Sequence, residues 1–175
     1  VIDSTHSGKS VAEVSTLIKK DILIVDSIDK AKSMGASVLL MGVLTSGGVL
    51  PEQWEGMIIK ALKLGFSLIN GLHVNLNDNY SSYIVDKKNQ WIWDTRIPQF
   101  IPKIGSGEAM KLTNKRVLMI GTDMAAGKMT AGLELYSYLK DKNIKVGFIA
   151  TGQVGITVTG KGIPLDAYKL DYACG

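Results

Sequence analysis

Short apolar runs alternate with segments of helical spacing along most of this chain. Residues 1–3, 22–25, 38–43, 66–69 and 91–93 read as strands, and 38–43 (Val-Leu-Leu-Met-Gly-Val) as a continuous buried one. Residues 29–34 predict a short helix ended by Gly35. Pro51-Glu52 opens a second helix that runs to about Leu64 and closes at Gly65. Proline suits the first helical position, and the acid suits the positive end of the helix dipole. Residues 45–48 and the polar stretch 70–79 read as loops. Residues 117–120 and 146–150 are two further strand-like runs, joined by a helix from about 127 to 142. That helix puts Met129, Leu133, Tyr136 and Leu139 on one apolar face, which predicts core packing. Strands alternating with helices predict an α/β fold around a parallel sheet.

The texture changes between 96 and 115, where two prolines, two glycines and an excess of basic residues predict a linker. The expected layout is a first domain over 1–95, the linker over 96–115, and a second domain from 116 to 175. Arg96, Lys103, Lys111, Lys115 and Arg116, set against Glu108 alone, carry the whole net charge of +4. No basic stripe with interleaved aromatics exists, so nucleic acid is not an expected partner. No apolar run reaches the roughly 18 residues of a membrane helix, so no membrane partner is expected either. A small-molecule partner is expected, and a homo-oligomer is compatible with it. The single cysteine, Cys174, allows no internal disulfide and fits a reducing cytoplasm. The chain opens inside a strand-like run and stops before a second α/β unit is complete. Both features predict a piece of a longer protein, with each domain truncated.

The most specific chemistry lies at 121–128. Gly121-Thr122-Asp123-Met124-Ala125-Ala126-Gly127-Lys128 follows a strand-like run and opens a helix, the setting of a phosphate-binding loop. Glycines let the backbone curl so that successive N–H groups face an anion. The helix N-terminus adds a partial positive charge, and Lys128 a full one. The usual loop has four residues between its first Gly and Gly-Lys; here there are five. That longer spacing resembles dethiobiotin synthetase and its relatives. The residue after the lysine is normally Ser or Thr, whose hydroxyl holds Mg²⁺. Met129 cannot do so, and Thr130 lies one position further round the helix. Phosphate binding is therefore expected, while Mg²⁺-dependent phosphoryl transfer is not. Gly8-Lys9-Ser10 lacks an upstream glycine at the right distance and reads as a plain loop.

Several motifs together resemble one family of P-loop proteins long described as of unknown function. They are Gly-Thr-Asp-x-Ala-x-Gly-Lys-x-Thr at 121–130, Ala-Thr-Gly-Gln-x-Gly at 150–155, Val-Ile-Asp-Ser-Thr-His at 1–6, Asn-Gly-Leu-His at 70–73 and Ile-Pro-Leu-Asp-Ala at 163–167. The resemblance implies an N-terminal Rossmann-like parallel-sheet domain followed by a P-loop α/β domain. Some members of that family are assigned as D-glutamate N-acetyltransferases. For this chain the resemblance implies an acetyl-CoA-dependent enzyme acting on a D-amino acid. Coenzyme A carries phosphates that are held but not cleaved, so Met129 fits that assignment. ATP remains the alternative cofactor, either in a ligase of dethiobiotin-synthetase type or in a non-catalytic nucleotide-binding module.

Candidate cofactor-binding residues are Gly121, Thr122, Asp123, Ala126, Gly127, Lys128, Met129 and Thr130, joined by Thr151, Gly152 and Gln153 after the next strand-like run. Strand C-terminal ends are where open α/β sheets bind ligands. Asp123 is unusual in an anion site: it either binds a substrate amine or holds Lys128. His73 is a candidate general base, or else a loop histidine bonded to backbone. Asp3 is placed to bind a ribose hydroxyl, with His6 beside it, and Gly47-Gly48 forms another anion-tolerant turn. No zinc site is expected from two separated histidines and one cysteine.

Overall fold

The computed structural model describes residues 1–43, 45–98, 100, 107–123 and 125–164. Met124, Cys174, Pro102 and Gly105 of the linker, and residues 165–167 of the last motif lie outside them. The chain divides into two compact units, Val1–Asp94 and Thr95–Gly175.

The first unit is built on a three-stranded parallel sheet. Its strands are β1 (Val38–Met41), β2 (Ser67–Asn70) and β3 (Ile92–Asp94), in the order β1-β2-β3. Met41 pairs with Asn70 and Asn70 with Asp94, so the three C-terminal ends share one edge. The core lies against β2. Helix α3 (Glu55–Lys63) buries Ile58, Ala61 and Leu62, the i, i+3, i+4 stripe of a helix face, together with Phe66, Leu68 and Leu76. Each large aliphatic side chain removed from water stabilises by about 1.5–3 kcal/mol. Residues 38–43 are not a continuous buried strand. Pairing stops at Met41, and Val38 and Leu40 are about half exposed, because β1 is an edge strand covered on one face only.

Two short helices precede the sheet. Helix α1 (Val11–Val14) starts at Ser10, whose hydroxyl accepts from Ala12 N, while Glu13 reaches back to Ser10 N at 2.6 Å. The Gly8-Lys9-Ser10 stretch is therefore the approach to a capped helix. Helix α2 (Ile28–Ser33) ends before Gly35, whose φ of 88° is left-handed. The helix expected from Pro51 begins with a single 3-10 turn, Glu52–Trp54, and becomes α-helical only at Glu55. The 1–3 and 22–25 runs meet in a parallel bridge, Ile2 to Val25.

The polar stretch 70–79 is not all loop. Helix α4 (Leu76–Tyr80) occupies its second half, because Asn75 Oδ1 accepts from Asp78 N at 3.0 Å and Leu76 and Tyr80 are buried. Gln90 closes the unit, donating to the carbonyls of Leu62 (2.8 Å) and Phe66 (2.6 Å) and accepting from Val85 N and Asp86 N.

The second unit contains α5 (Lys128–Asp141) and α6 (Gln153–Thr159). Residues 117–120 and 146–149 do not join a sheet ladder. Among the described residues, the one strand-type pairing here is a bridge between Ala150 and Gly162. A β-strand needs a neighbour about 4.8 Å away to form a ladder; Leu118 and Ile120 are each over four-fifths exposed. Gly132 lets α5 approach this segment closely: a Cβ there would lie 3.1 Å from the Phe148 ring and 3.2 Å from Met119. The expected apolar face is half-covered. Leu133, Tyr136 and Leu139 are partly buried, whereas Met129 is 42% exposed. No helix among the described residues is long and apolar enough to cross a membrane.

Candidate functional site

The phosphate-loop residues gather at the start of α5. Gly127 stands at the N-cap, is left-handed (φ 86°) and, having no side chain, makes no cap hydrogen bond. Ala125 is also left-handed, at φ 56°. Left-handed residues in such a turn aim successive N–H groups into one concavity. Nothing in the sequence marked Ala125 for this, since alanine carries no turn preference of that kind. Lys128 lies back across the loop, where its Nζ donates to the main-chain carbonyl of Asp123 at 2.5 Å. Asp123 thus holds Lys128 through its backbone. Gly121 makes room for this fold-back: a Cβ on it would lie 3.1 Å from the lysine stem.

A cleft of about 570 Å³ opens beside the loop. Ala126, Gly127, Lys128, Met129 and Thr130 line it, as do Thr151 and Gly152. Gly121, Thr122, Asp123 and Gln153 are not part of its lining. Gln153 is not a loop residue either, because it begins α6. That helix packs through Gly155, where a Cβ would come within 2.8 Å of Ala150 Cβ and 3.8 Å of Met129 Sδ. The final glycine of Thr-Gly-Gln-x-Gly is thus a packing residue. Among the described residues, no cluster of three His, Cys, Asp or Glu side chains is arranged for a metal ion.

In the first unit, the loops after β1 and β2 meet. Gly47 and Gly48 both have left-handed φ, within a 3-10 turn Ser46–Gly48. His73 N donates to Gly48 O at 2.9 Å, and the exposed His73 ring covers the glycine. A Cβ at Gly48 would sit 2.2 Å from His73 Cδ2, so only glycine fits. Beneath them lies a buried polar network that the sequence did not announce. Asn70 Nδ2 donates to Val74 O (2.7 Å) and to Asp94 Oδ1 (2.6 Å), and Asn70 Oδ1 accepts from Leu72 N at 2.9 Å. Asp94 also accepts from Leu76 N and Asn77 N at 3.0 and 2.9 Å. These bonds fix the 70–77 segment that carries His73.

Asp3 and His6 are hydrogen-bonded, Oδ2 to Nδ1 at 2.7 Å. The Asp3 carboxyl is held below its ordinary value, first by the His6 bond and then by the N–H of Thr5.

The fold and the glycine-rich loop define a protein class: a Rossmann-like unit preceding a P-loop unit, with the loop at the head of α5. Two family descriptions match in that order. Residues 4–98 match the Rossmann-like N-terminal domain of unknown function DUF1611, and residues 103–175 match the P-loop domain of the same family. The chain belongs to the DUF1611 family. It is 36% identical over 150 residues to a D-glutamate N-acetyltransferase of Tritonibacter scottomollicae, an alignment covering 85% of this chain and 44% of the relative. A second protein of that name, from a Pseudoalteromonas species, is 36% identical over 151 residues, covering 85% and 45%. The crystal structure of a DUF1611 family protein from Anabaena variabilis superposes with a TM-score of 0.87 at 37% identity, covering 99% of this chain and 50% of that one. The chain spans about half the length of the relatives it matches.

Proposed function

We propose that this chain is part of an acetyl-CoA-dependent N-acetyltransferase acting on a D-amino acid such as D-glutamate. In this reading the 121–128 loop holds phosphates of the coenzyme. One observation carries it: the N-terminus of α5 has no side-chain cap, and Lys128 stands there with Met129 in the position where a phosphoryl-transfer enzyme keeps its metal-binding hydroxyl. Such a site suits phosphates that are bound without being cleaved. The names of the two relatives support the same chemistry. Lys128 would exchange its bond to the Asp123 carbonyl for a phosphate oxygen. The N–H groups around Ala125–Gly127 would supply the rest of the cradle. Acetyl transfer then requires a neutral amine, a base for its proton and a donor to the thioester oxyanion.

Thr130 on the cleft wall favours a second reading, an ATP-dependent ligase of dethiobiotin-synthetase type. There the longer loop would turn Thr130 into the metal position. Calorimetry of the full protein with acetyl-CoA and with ATP, each with Mg²⁺ and with EDTA, separates the two. Acetyl-CoA should bind regardless of Mg²⁺. Lys128→Ala should weaken it ~10-fold or more, since a charged hydrogen bond contributes roughly 1.5–3 kcal/mol. Tight ATP binding that needs Mg²⁺ and Thr130 would favour the ligase. Affinity indifferent to Lys128→Ala would remove the loop from the account.

A further inference from the structure

We propose that the second unit carries a groove for one more β-strand, along residues 117–120 and 146–149, and that a segment of the full-length protein outside these 175 residues fills it. Both runs have strand character without a strand partner. Along 145–150 the side chains alternate: Lys145, Gly147 and Ile149 are exposed, whereas Val146 and Phe148 are partly buried and Ala150 is buried. Met119 and Phe148 both reach α5 at Gly132, so the two runs meet the same part of that helix. Yet among the described residues no main-chain hydrogen bond engages 117–120 or 146–149.

Two cavities are lined by both runs. One, of about 780 Å³, takes Val117 and Met119 from the first run, Val146 and Phe148 from the second, and Leu135 and Leu139 from α5. The other is the 570 Å³ cleft, which Val117, Met119 and Phe148 line as well. Shared lining residues make them neighbouring stretches of one groove. Both runs carry unpaired N–H and C=O groups, and another extended main chain is what pairs such a row. Parallel sheets accept strands out of chain order, because each connection is a crossover. The occupant is assigned to the same protein because half or more of each relative lies outside the matched region. A tethered segment also meets the groove at a high effective concentration. Its chemistry follows from the lining: apolar along the groove, and acidic where Lys115, Arg116 and Lys145 stand at the start of the two runs.

Direction follows from the cleft. Residues 117–120 lead into the phosphate loop and 146–149 into Thr151-Gly152, and Lys128, Thr151 and Gly152 all line the cleft. The two runs therefore point the same way. A strand parallel to them, as in the sheet of the first unit, would bring its C-terminal end to the cleft beside Lys128. Open α/β sheets place ligand-binding residues at such ends. On the coenzyme reading above, the ligand site is incomplete until this strand is in place. The insertion itself does not rest on that reading.

The test uses the full-length protein without any ligand. Hydrogen exchange should show amides within 117–120 and 146–149 protected roughly 100-fold or more over unstructured peptide, as ladder amides are. Tyr136→benzoylphenylalanine, an aromatic replacement at a groove-lining position, then sets a photocrosslinker there. Irradiation should join it to an apolar segment outside residues 1–175, with Asp or Glu just before that segment. Mixing isotopically light and heavy protein before irradiation tells the copies apart, and the crosslink should stay within one copy. If that variant does not fold, exchange on the unsubstituted protein still decides. Exchange of both runs at the unstructured rate overturns the proposal. A crosslink confined to residues 1–175 does so too, as does one joining light to heavy copies, which would put a second copy in the groove. Neither readout involves acetyl-CoA, so failure of the coenzyme reading in calorimetry leaves the strand standing, and loss of the strand leaves the calorimetry to be judged on its own.

Discussion

Asp94 offers the sharpest test of how the first unit is held together. Its Oδ1 takes two donors, Asn70 Nδ2 and Leu76 N, and its Oδ2 takes Asn77 N. Asp94→Asn keeps the shape but replaces one acceptor with an NH₂ donor, and neither orientation of the amide fits. With the amide oxygen at the Oδ1 position, NH₂ confronts Asn77 N–H. With the groups reversed, NH₂ confronts two donors. The better choice still loses one charged hydrogen bond, opposes donor to donor, and weakens the remaining two. A hydrogen bond to a charged group contributes about 1.5–3 kcal/mol, so the loss should be about 2–4 kcal/mol. Asp94→Ala leaves three donors without their acceptor and should cost more, about 3–5 kcal/mol. Urea unfolding measures both, and hydrogen exchange should show the Leu76 and Asn77 amides opening first. A change under about 0.5 kcal/mol for Asp94→Asn, the level of an ordinary surface substitution, would refute the network as a structural brace.

Three further outcomes are expected. Gly48→Ala should destabilise by about 2–3 kcal/mol, since a left-handed alanine costs about 1–2 kcal/mol and its Cβ would strike His73. Adding His73→Ala should recover the part due to the clash, and a double variant no more stable than the single one would exclude that contact as the cause. Asp3, Asp26, Asp29 and Asp86 all have lowered pKa values, through His6, Ser27, Lys60 and Asn89 respectively. The unfolded chain therefore binds protons first as pH falls. Their contribution is complete above about pH 5, a unit over the unfolded carboxylate value, and is lost as pH drops toward the lower folded values, so the thermal midpoint should fall between pH 5 and pH 2.5, and a flat profile would contradict this. Met129→Thr should leave acetyl-CoA affinity within about twofold while costing about 1 kcal/mol of stability, because Met129 packs near Gly155; calorimetry and urea unfolding report the two separately.

The sequence was legible where local rules act alone. The phosphate loop, α2, α3 and α5 follow from glycine placement and apolar spacing. The Asn75-x-x-Asp78 capping signal was present but masked by the polar composition around it, so α4 read as loop. Ser10-x-x-Glu13 announced α1 in the same way, behind the distraction of Gly8-Lys9. The Asn70–Asp94 network had no local signature at all. Its partners are 24 residues apart and meet only because β2 and β3 pair in register. For the same reason the burial of β1 was overestimated, since composition does not say which strand lies at an edge. The strand-like runs at 117–120 and 146–149 show the converse limit, for apolar β-branched sequence supplies the propensity to extend but not the neighbour that completes a ladder.

The glycines of the second unit sort into those that set a left-handed backbone at the loop and those that fit one element against another. Gly127 belongs to the first group: its left-handed backbone leaves the head of α5 without a side-chain cap. Gly121, Gly132 and Gly155 belong to the second, each lying where a Cβ would press on Lys128, Phe148 or Ala150. Replacing any of these three would displace the lysine, α5 or α6, and with it a wall of the cleft. A loss of ligand binding on such a replacement is therefore not evidence of ligand contact, and only substitutions that leave this packing intact, such as Lys128→Ala, report on the cradle itself. Met129 stands between the two groups, half-exposed on the cleft wall and near Gly155. Its thioether fills space beside α6 that a threonine hydroxyl would not fill. Under the acetyl-transfer proposal no metal-binding hydroxyl would be needed at this position, and Met129 would serve packing there at no chemical cost.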